Sequence, residues 1–278
     1  MSEQERHVLG LSGGRDSAAL AVYMRQNYPD IDAEYFFTDT GEELPEVYEF
    51  LVNLEGFLGK TILRLNPDRD FDFWLKQYNN FLPSPQARWC TRQMKIKPFE
   101  DWVNPMLDEG ATVYSYVAIR SDEEYREGYS SKKDKLIVKL PLKDDGVDKK
   151  GVMDILDSVG LGLPKYYAWR SRSGCTFCFY QRKIEWVNLM EKHPEAFEEA
   201  KDYEKQALEN QSPFTWTLKE SLEELSQPER VEEIKVEYLE RLEKSKLKKV
   251  LNPLRPNEEP VDIDELYGQS KVCLACHK

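Results

Sequence analysis

Residues 12–17 read Ser-Gly-Gly-Arg-Asp-Ser, directly after an apolar run and directly before a stretch of helix formers. Gly13 and Gly14 permit positive φ and let the backbone approach an anion with no Cβ in the way. The N-terminus of the following helix offers unpaired N–H groups and a positive dipole end to that anion. Ser12 and Ser17 add hydroxyl donors beside Arg15, and Asp16 can cap the helix, orient the loop or support a magnesium ion. The chemistry is phosphate binding. The loop is neither the G-x-x-x-x-G-K-[ST] pattern nor G-x-G-x-x-G. The plain alternative is a tight turn with a Ser/Asp cap.

Other residues could join that chemistry. Asp39 and Thr40, ahead of Gly41, can bond ribose or adenine groups or help hold magnesium; the alternative for Asp39 is an ordinary turn residue. Arg120 carries a planar fork suited to phosphate, or else pairs at the surface with Asp122 or Glu123. Arg92, Lys95 and Lys97 form a basic cluster in an acidic chain, suited to phosphate or a second substrate, or simply solvated. Of five cysteines, four fall in two C-x-x-C pairs, Cys175/Cys178 and Cys273/Cys276, and the fifth is Cys90. Metal ligation or redox chemistry is the expected use, because disulfides are rare in a cytosolic chain. His7 and His193 read as structural, whereas His277 can be a ligand.

These residues need a scaffold. His7–Leu11, Ala33–Thr38 and Lys60–Leu65 read as strands; a helix follows Ser17 and another opens at Pro45, with Glu42 and Glu43 suited to its positive end. Strand-helix alternation predicts a doubly wound, mostly parallel α/β sheet, to which Val113–Ile119 and Leu136–Leu140 add strands. Ligands of such sheets bind beyond the carboxyl ends of the strands. Ser12, Asp39 and Arg120 each follow a strand, so three polar loops should converge on one rim. From Glu185 to about Leu225 the chain reads as acidic and helical, interrupted near Pro194 and Pro213, and Pro228–Val250 as a charged helix with Val231, Ile234, Tyr238 and Leu242 on one stripe. The expected division is a nucleotide-binding α/β domain over 1–185 and a helical region over 186–278.

The chain resembles a known family at this point. Ser12–Ser17 is similar to the PP-loop of the ATP pyrophosphatase superfamily, in particular its phosphoadenylyl sulfate reductase-like branch, whose fold is adenine nucleotide α-hydrolase-like. Asp39-Thr40-Gly41 resembles the family's Asp-Thr-Gly segment, and Cys90 to Pro98 its Cys-x-x-x-x-Lys-x-x-Pro segment. Ala118-Ile119-Arg120-Ser121-Asp122-Glu123-Glu124 resembles Gly-Ile-Arg-Ala-Asp-Glu-Ser, with Ala118 where Gly is usual. Leu140-Pro141-Leu142 and Gly174-Cys175-Thr176-Phe177-Cys178 resemble its Pro-Leu and Gly-Cys-x-x-Cys segments. The order covers roughly residues 7–195. The resemblance implies that ATP with Mg2+ binds at Ser12, Gly13, Gly14, Arg15, Asp16, Ser17, Asp39, Thr40, Gly41 and Arg120, and that Ser12, Asp16, Ser17 and Arg120 take part in catalysis. It also implies a [4Fe–4S] cluster on Cys90, Cys175 and Cys178, with Cys273 or Cys276 as fourth thiolate; zinc and free thiols are the alternatives.

The group it looks most like is the ATP pyrophosphatases of DNA phosphorothioation, of the DndC and SspD type. That implies adenylation of an acceptor in support of sulfur incorporation, with a cysteine desulfurase and DNA-modifying proteins as partners. A reductase of adenylyl or phosphoadenylyl sulfate, a tRNA thiolation enzyme and a nucleotide sensor stand as alternatives. The reductases' C-terminal Glu-Cys-Gly-x-His element is missing, although a C-terminal Cys and His are present.

Bulk properties agree with an enzyme that leaves DNA placement to others. The chain has 278 residues, enough to bury a core without disulfide staples. A net charge of −12 argues against broad nonspecific nucleic-acid binding and leaves only local or partner-mediated DNA contact. Without a signal-like N-terminus or an apolar span, a cytoplasmic location away from membranes is expected.

Overall fold

The computed structural model describes residues 4–124, 126, 133–172, 174–212 and 214–251, with side chains through 244. It divides into two compact units. Among the described residues, one holds the chain to Trp74 together with Arg88–Thr176; the other holds Leu75–Ala87 and the chain from Phe177 to Leu251.

The first unit is built on five parallel strands: β1 (Glu5–Leu11), β2 (Ala33–Phe37), β3 (Ile62–Arg64), β4 (Thr112–Tyr116) and β5 (Leu136–Lys139), in the order β3-β2-β1-β4-β5. This is the doubly wound parallel arrangement that the strand-helix alternation predicts. β1 is central, its Leu9 opposite Tyr35 of β2 and Tyr116 of β4. The strand order reverses between β1 and β4, and ligands bind at such switch points.

Helix α1 (Arg15–Asn27) buries Ala18 through Val22 and Met24, and α2 (Pro45–Leu58) buries Val47, Phe50, Leu51, Leu54 and Leu58, the i, i+3, i+4 spacing of one helical face. After α3 (Phe71–Gln77) comes a continuous helical segment: α4 (Trp89–Thr91), a π turn (Arg92–Ile96) and α5 (Lys97–Asp108). Phe99, Val103 and Met106 of α5 join Val8, Phe36 and Val113 in one buried cluster. Further on lie α6 (Pro141–Asp144), α7 (Lys149–Ser158) and a 3₁₀ turn (Lys165–Ala168).

Apolar run length overstates β4. Val117, Ala118 and Ile119 are buried like the strand, but the ladder stops at Tyr116. Ile119 N–H turns back to the Val117 carbonyl at 3.0 Å, so burial and strand pairing part company just before Arg120.

The second unit contains α8 (Lys183–Lys192), α9 (Pro194–Glu209), α10 (Leu222–Leu225) and α11 (Pro228–Leu251). The helical stretch breaks where interruptions are expected, between α8 and α9 at Pro194 and again over 210–221. There the Glu204 carboxylate accepts from Trp216 N–H at 2.8 Å and Leu222 N–H at 2.5 Å, replacing helix hydrogen bonds with side-chain ones. Burial holds the Glu204 carboxyl above its usual range, against those two N–H groups. Among the described residues no helix is long and apolar enough to cross a membrane.

Candidate nucleotide site

The loop between β1 and α1 follows from its residue types. Gly13 has φ +67, a left-handed conformation that favours glycine, and Gly14 is the N-cap of α1 in extended conformation. A Cβ on Gly13 would lie 2.4 Å from Val47 Cγ1, so the missing side chain also lets α2 close on the loop. Ser17 ties the loop together: its hydroxyl accepts from Ser12 N–H at 3.1 Å, lies 3.1 Å from Ser12 Oγ and donates to the Gly14 carbonyl at 3.2 Å. With Ser17 buried, its hydroxyl is committed inside the loop and Ser12 is the more open of the two.

Arg120, from the segment after β4, reaches this loop across the switch point. Its Nη1 donates to Asp16 Oδ1 at 3.0 Å, and its Nε and Nη2 donate to Asp122 at 2.9 and 3.2 Å. The ion pair with Asp122 and the reach to the phosphate loop are therefore both present. Burial works to lower the guanidinium's pKa, but Asp16, Asp122 and Glu123 outweigh it and hold it above its ordinary value. Arg120 stays cationic beside a helix N-terminus, where an anion would sit.

Asp39 is fixed as a turn residue: its Oδ1 accepts from Gly41 N–H at 3.0 Å and from the Tyr48 hydroxyl at 2.8 Å. Thr40 accepts from Glu42 N–H at 3.2 Å and donates to Glu43 at 3.3 Å. The chain then meets the glycine-rich loop through Val47, in the first turn of α2.

The basic cluster does not act as one patch. Lys95 turns inward to Glu43 Oε1 at 3.3 Å, while Arg92 and Lys97 are exposed and Lys97 pairs with Asp101 one turn on at 2.5 Å. Arg92 and Lys95 lie on the π turn, and Lys97 is the first residue of α5.

Cys90, Cys175 and Cys178 are in no disulfide. Cys90 sits on α4, Cys175 lies on an isolated antiparallel bridge with Glu43, and Cys178 lies in the second unit. Among the described residues no three His, Cys, Asp or Glu side chains gather into a group that could hold a metal ion. Cys273, Cys276 and His277 lie outside the described residues.

Several site residues carry no motif signal. Tyr166 donates to the Gly13 carbonyl at 3.2 Å, and Arg15 N–H donates to the Tyr167 hydroxyl at 3.4 Å. A Cβ on Gly174 would lie 2.1 Å from Val47 Cγ2, so Val47 is wedged between two glycines 161 residues apart in the chain, Gly13 and Gly174. Arg170 is 2% exposed; its Nη2 donates to the Thr176 carbonyl at 3.2 Å, while its Nε and Nη1 have no partner among the described residues. A tyrosine pair, a valine and an isolated arginine look like core residues in sequence; only their contacts single them out.

The phosphoadenosine phosphosulfate reductase domain model matches residues 6–131. An uncharacterized protein of Methanocaldococcus jannaschii is 30% identical over 119 residues, 42% of this chain and 23% of that protein. The tRNA-specific 2-thiouridylase MnmA of Lactococcus lactis subsp. cremoris is 26% identical over 133 residues, 44% of this chain and 35% of that protein. The chain thus spans less than half the length of these curated relatives. A crystal structure of phosphoadenylyl-sulfate (PAPS) reductase from Candida auris, a phosphate complex, aligns with TM-score 0.47 and 12% identity over 62% of this chain and 81% of that one. The segment that holds the phosphate loop, Asp39 and Arg120 is therefore the segment that matches the phosphoadenosine phosphosulfate reductase domain.

Proposed function

We propose that this chain is an ATP pyrophosphatase that activates an acceptor for sulfur incorporation, most specifically in DNA phosphorothioate modification. The observation that carries the reading is the Arg120–Asp16 contact at 3.0 Å, which brings a permanent cation to a glycine-rich loop at a helix N-terminus and at the sheet's switch point. The acceptor oxygen attacks the α-phosphorus, the bond from that phosphorus to the bridging oxygen of the β-phosphate breaks, and pyrophosphate leaves; water as acceptor gives AMP. Loop N–H groups and Arg120 stabilise the charge that develops on the departing pyrophosphate. Asp16 and Asp39 each commit one carboxylate oxygen within the protein, and their second oxygens suit a magnesium ion arriving with the nucleotide. Bound magnesium would neutralise phosphate charge.

The sulfur step belongs with partners: a cysteine desulfurase as donor, and DNA-modifying proteins that bring the acceptor to a chain of net charge −12. A [4Fe–4S] cluster, or zinc in its place, would be held by Cys90, Cys175 and Cys178 with Cys273 or Cys276, although the described residues do not by themselves gather three such ligands. Metal and acid-labile sulfide analysis of anaerobically purified protein tests this: iron and sulfide in equal amounts are expected, and a metal-free protein overturns it.

A second reading, reduction of adenylyl or phosphoadenylyl sulfate, is favoured by the family match over residues 6–131. The two separate in one experiment. Anaerobic protein with magnesium is given α-labelled ATP and, separately, adenylyl sulfate, and the products are resolved. AMP and pyrophosphate from ATP, with no sulfite from adenylyl sulfate, support the activating enzyme. Sulfite release with ATP inert overturns it. Duplex DNA and tRNA offered as acceptors then distinguish DNA modification from the tRNA thiolation that the 2-thiouridylase likeness favours.

A further inference from the structure

We propose that Tyr167 is a phosphate-contacting residue of this site, its hydroxyl donating to an oxygen of the pyrophosphate held in the loop, and that Tyr166 positions it. The proposal rests on the nucleotide reading above and adds a ligand group that lies outside the loop motif.

The observations are geometric. The Lys165–Ala168 turn lies more than 150 residues from the loop in sequence, yet it caps it twice: Tyr166 on the Gly13 carbonyl at 3.2 Å and Tyr167 on Arg15 N–H at 3.4 Å. The two rings stack at 4.7 Å, and the Arg15 guanidinium lies over the Tyr167 ring, 5.3 Å from its centroid. A Cβ on Gly14 would sit 3.3 Å from the Tyr167 hydroxyl and 3.7 Å from that of Tyr166. Both hydroxyls therefore stand over the helix N-cap, the place where a loop of this kind takes its anion.

The chemistry follows from how a phenol bonds. Arg15 N–H is the first donor of α1, a group that a helix leaves without an intrahelical partner. At 3.4 Å its bond to Tyr167 is long and gives way easily to a better acceptor. Accepting this N–H leaves the Tyr167 proton to the bond it shares with the Tyr166 hydroxyl, a neutral partner that a charged phosphate oxygen can displace. Burial first, and the Asp16 charge second, raise the phenol's pKa, so the proton is present at neutral pH. A phosphate oxygen entering beside Arg15 N–H can accept from both. Tyr166, bonded to Gly13 and stacked on Tyr167, holds the donor in place.

Calorimetric titration of the full chain, Tyr167→Phe, Tyr166→Phe and the double variant with ATP, pyrophosphate and AMP tests this. Phe keeps the ring stack and the Arg15 contact. Loss of one hydrogen bond to a charged group weakens binding roughly tenfold. Tyr167→Phe is expected to weaken ATP and pyrophosphate by that factor and AMP by less than about twofold. If Tyr166 acts through Tyr167, the double variant binds no more weakly than Tyr167→Phe alone; additive losses overturn the positioning role. Unchanged affinity in Tyr167→Phe overturns the Tyr167 assignment and leaves the nucleotide reading standing. Tighter binding overturns it too, because the hydroxyl would then merely occupy the anion's place. A wild-type chain that binds neither ATP nor pyrophosphate removes both readings together. Should the Phe variant not fold, nitration of Tyr167 in the wild type, followed by mass spectrometry, decides: pyrophosphate is expected to protect it, and unchanged nitration overturns the proposal.

Discussion

Arg120 and Val47 show how single side chains set this site. Arg120 uses all three guanidinium nitrogens, one on Asp16 and two on Asp122. A lysine at that position keeps the charge but loses the fork that spans two carboxylates. Arg120→Lys is expected to lower ATP turnover by about tenfold or more with little change in melting temperature, read by steady-state kinetics beside a thermal melt. Val47 acts through packing. Gly174→Ala places a methyl 2.1 Å from Val47 Cγ2, overpacking of a kind that costs about 1–3 kcal/mol. Urea unfolding checks it, with a companion measurement: the same substitution made in a Val47→Ala background should cost less. Gly13→Ala should recover less in that background, because at φ +67 the backbone disfavours any Cβ regardless of Val47.

At the scale of elements, helical periodicity reports an apolar stripe but not how far a neighbour follows it. On α11, Val231 is 7% and Ile234 3% exposed, whereas Leu242, on the same stripe, is 39% exposed. Ile234→Ala is expected to cost about 2–4 kcal/mol and Leu242→Ala to stay within about 0.5 kcal/mol, measured as shifts in urea midpoint. Equal costs would mean that the outer half of the stripe is covered in solution. The strands β1 and β2 lie close to where their apolar runs place them, since a strand covered on both faces has to be largely apolar; β5, at the sheet edge and only half-buried, also lies close to its run. β4 ends early for the converse reason: a buried apolar segment need not be paired.

For the whole molecule, charge sets what it can meet. The chain carries a net charge of −12, and among the described residues basic side chains are engaged in local ion pairs such as Arg6–Glu34, Lys150–Asp154 and Lys165–Glu49. The isolated chain is expected to show no measurable affinity for duplex DNA at about physiological ionic strength, tested by fluorescence anisotropy of a labelled duplex. Tight binding there would overturn the view that partners place it on DNA. The parallel sheet, with its order reversal between β1 and β4, gathers the loop and Arg120 at one rim although they lie about a hundred residues apart.

The sequence by itself determined the alternation of strands and helices, the glycine-rich loop of residues 12–17 between a strand and a helix, and the placing of Ser12, Asp39 and Arg120 after strands. Those features are local: periodicity, glycine tolerance and helix-end electrostatics act within a few residues. The tertiary structure alone decided that Lys95 turns inward while Arg92 and Lys97 do not, that Val47 needs two distant glycines, and that Tyr166 and Tyr167 cap the loop. Each depends on contacts between segments far apart in the chain, and a tyrosine or valine carries the same side chain whether it fills a core or closes over an anion site.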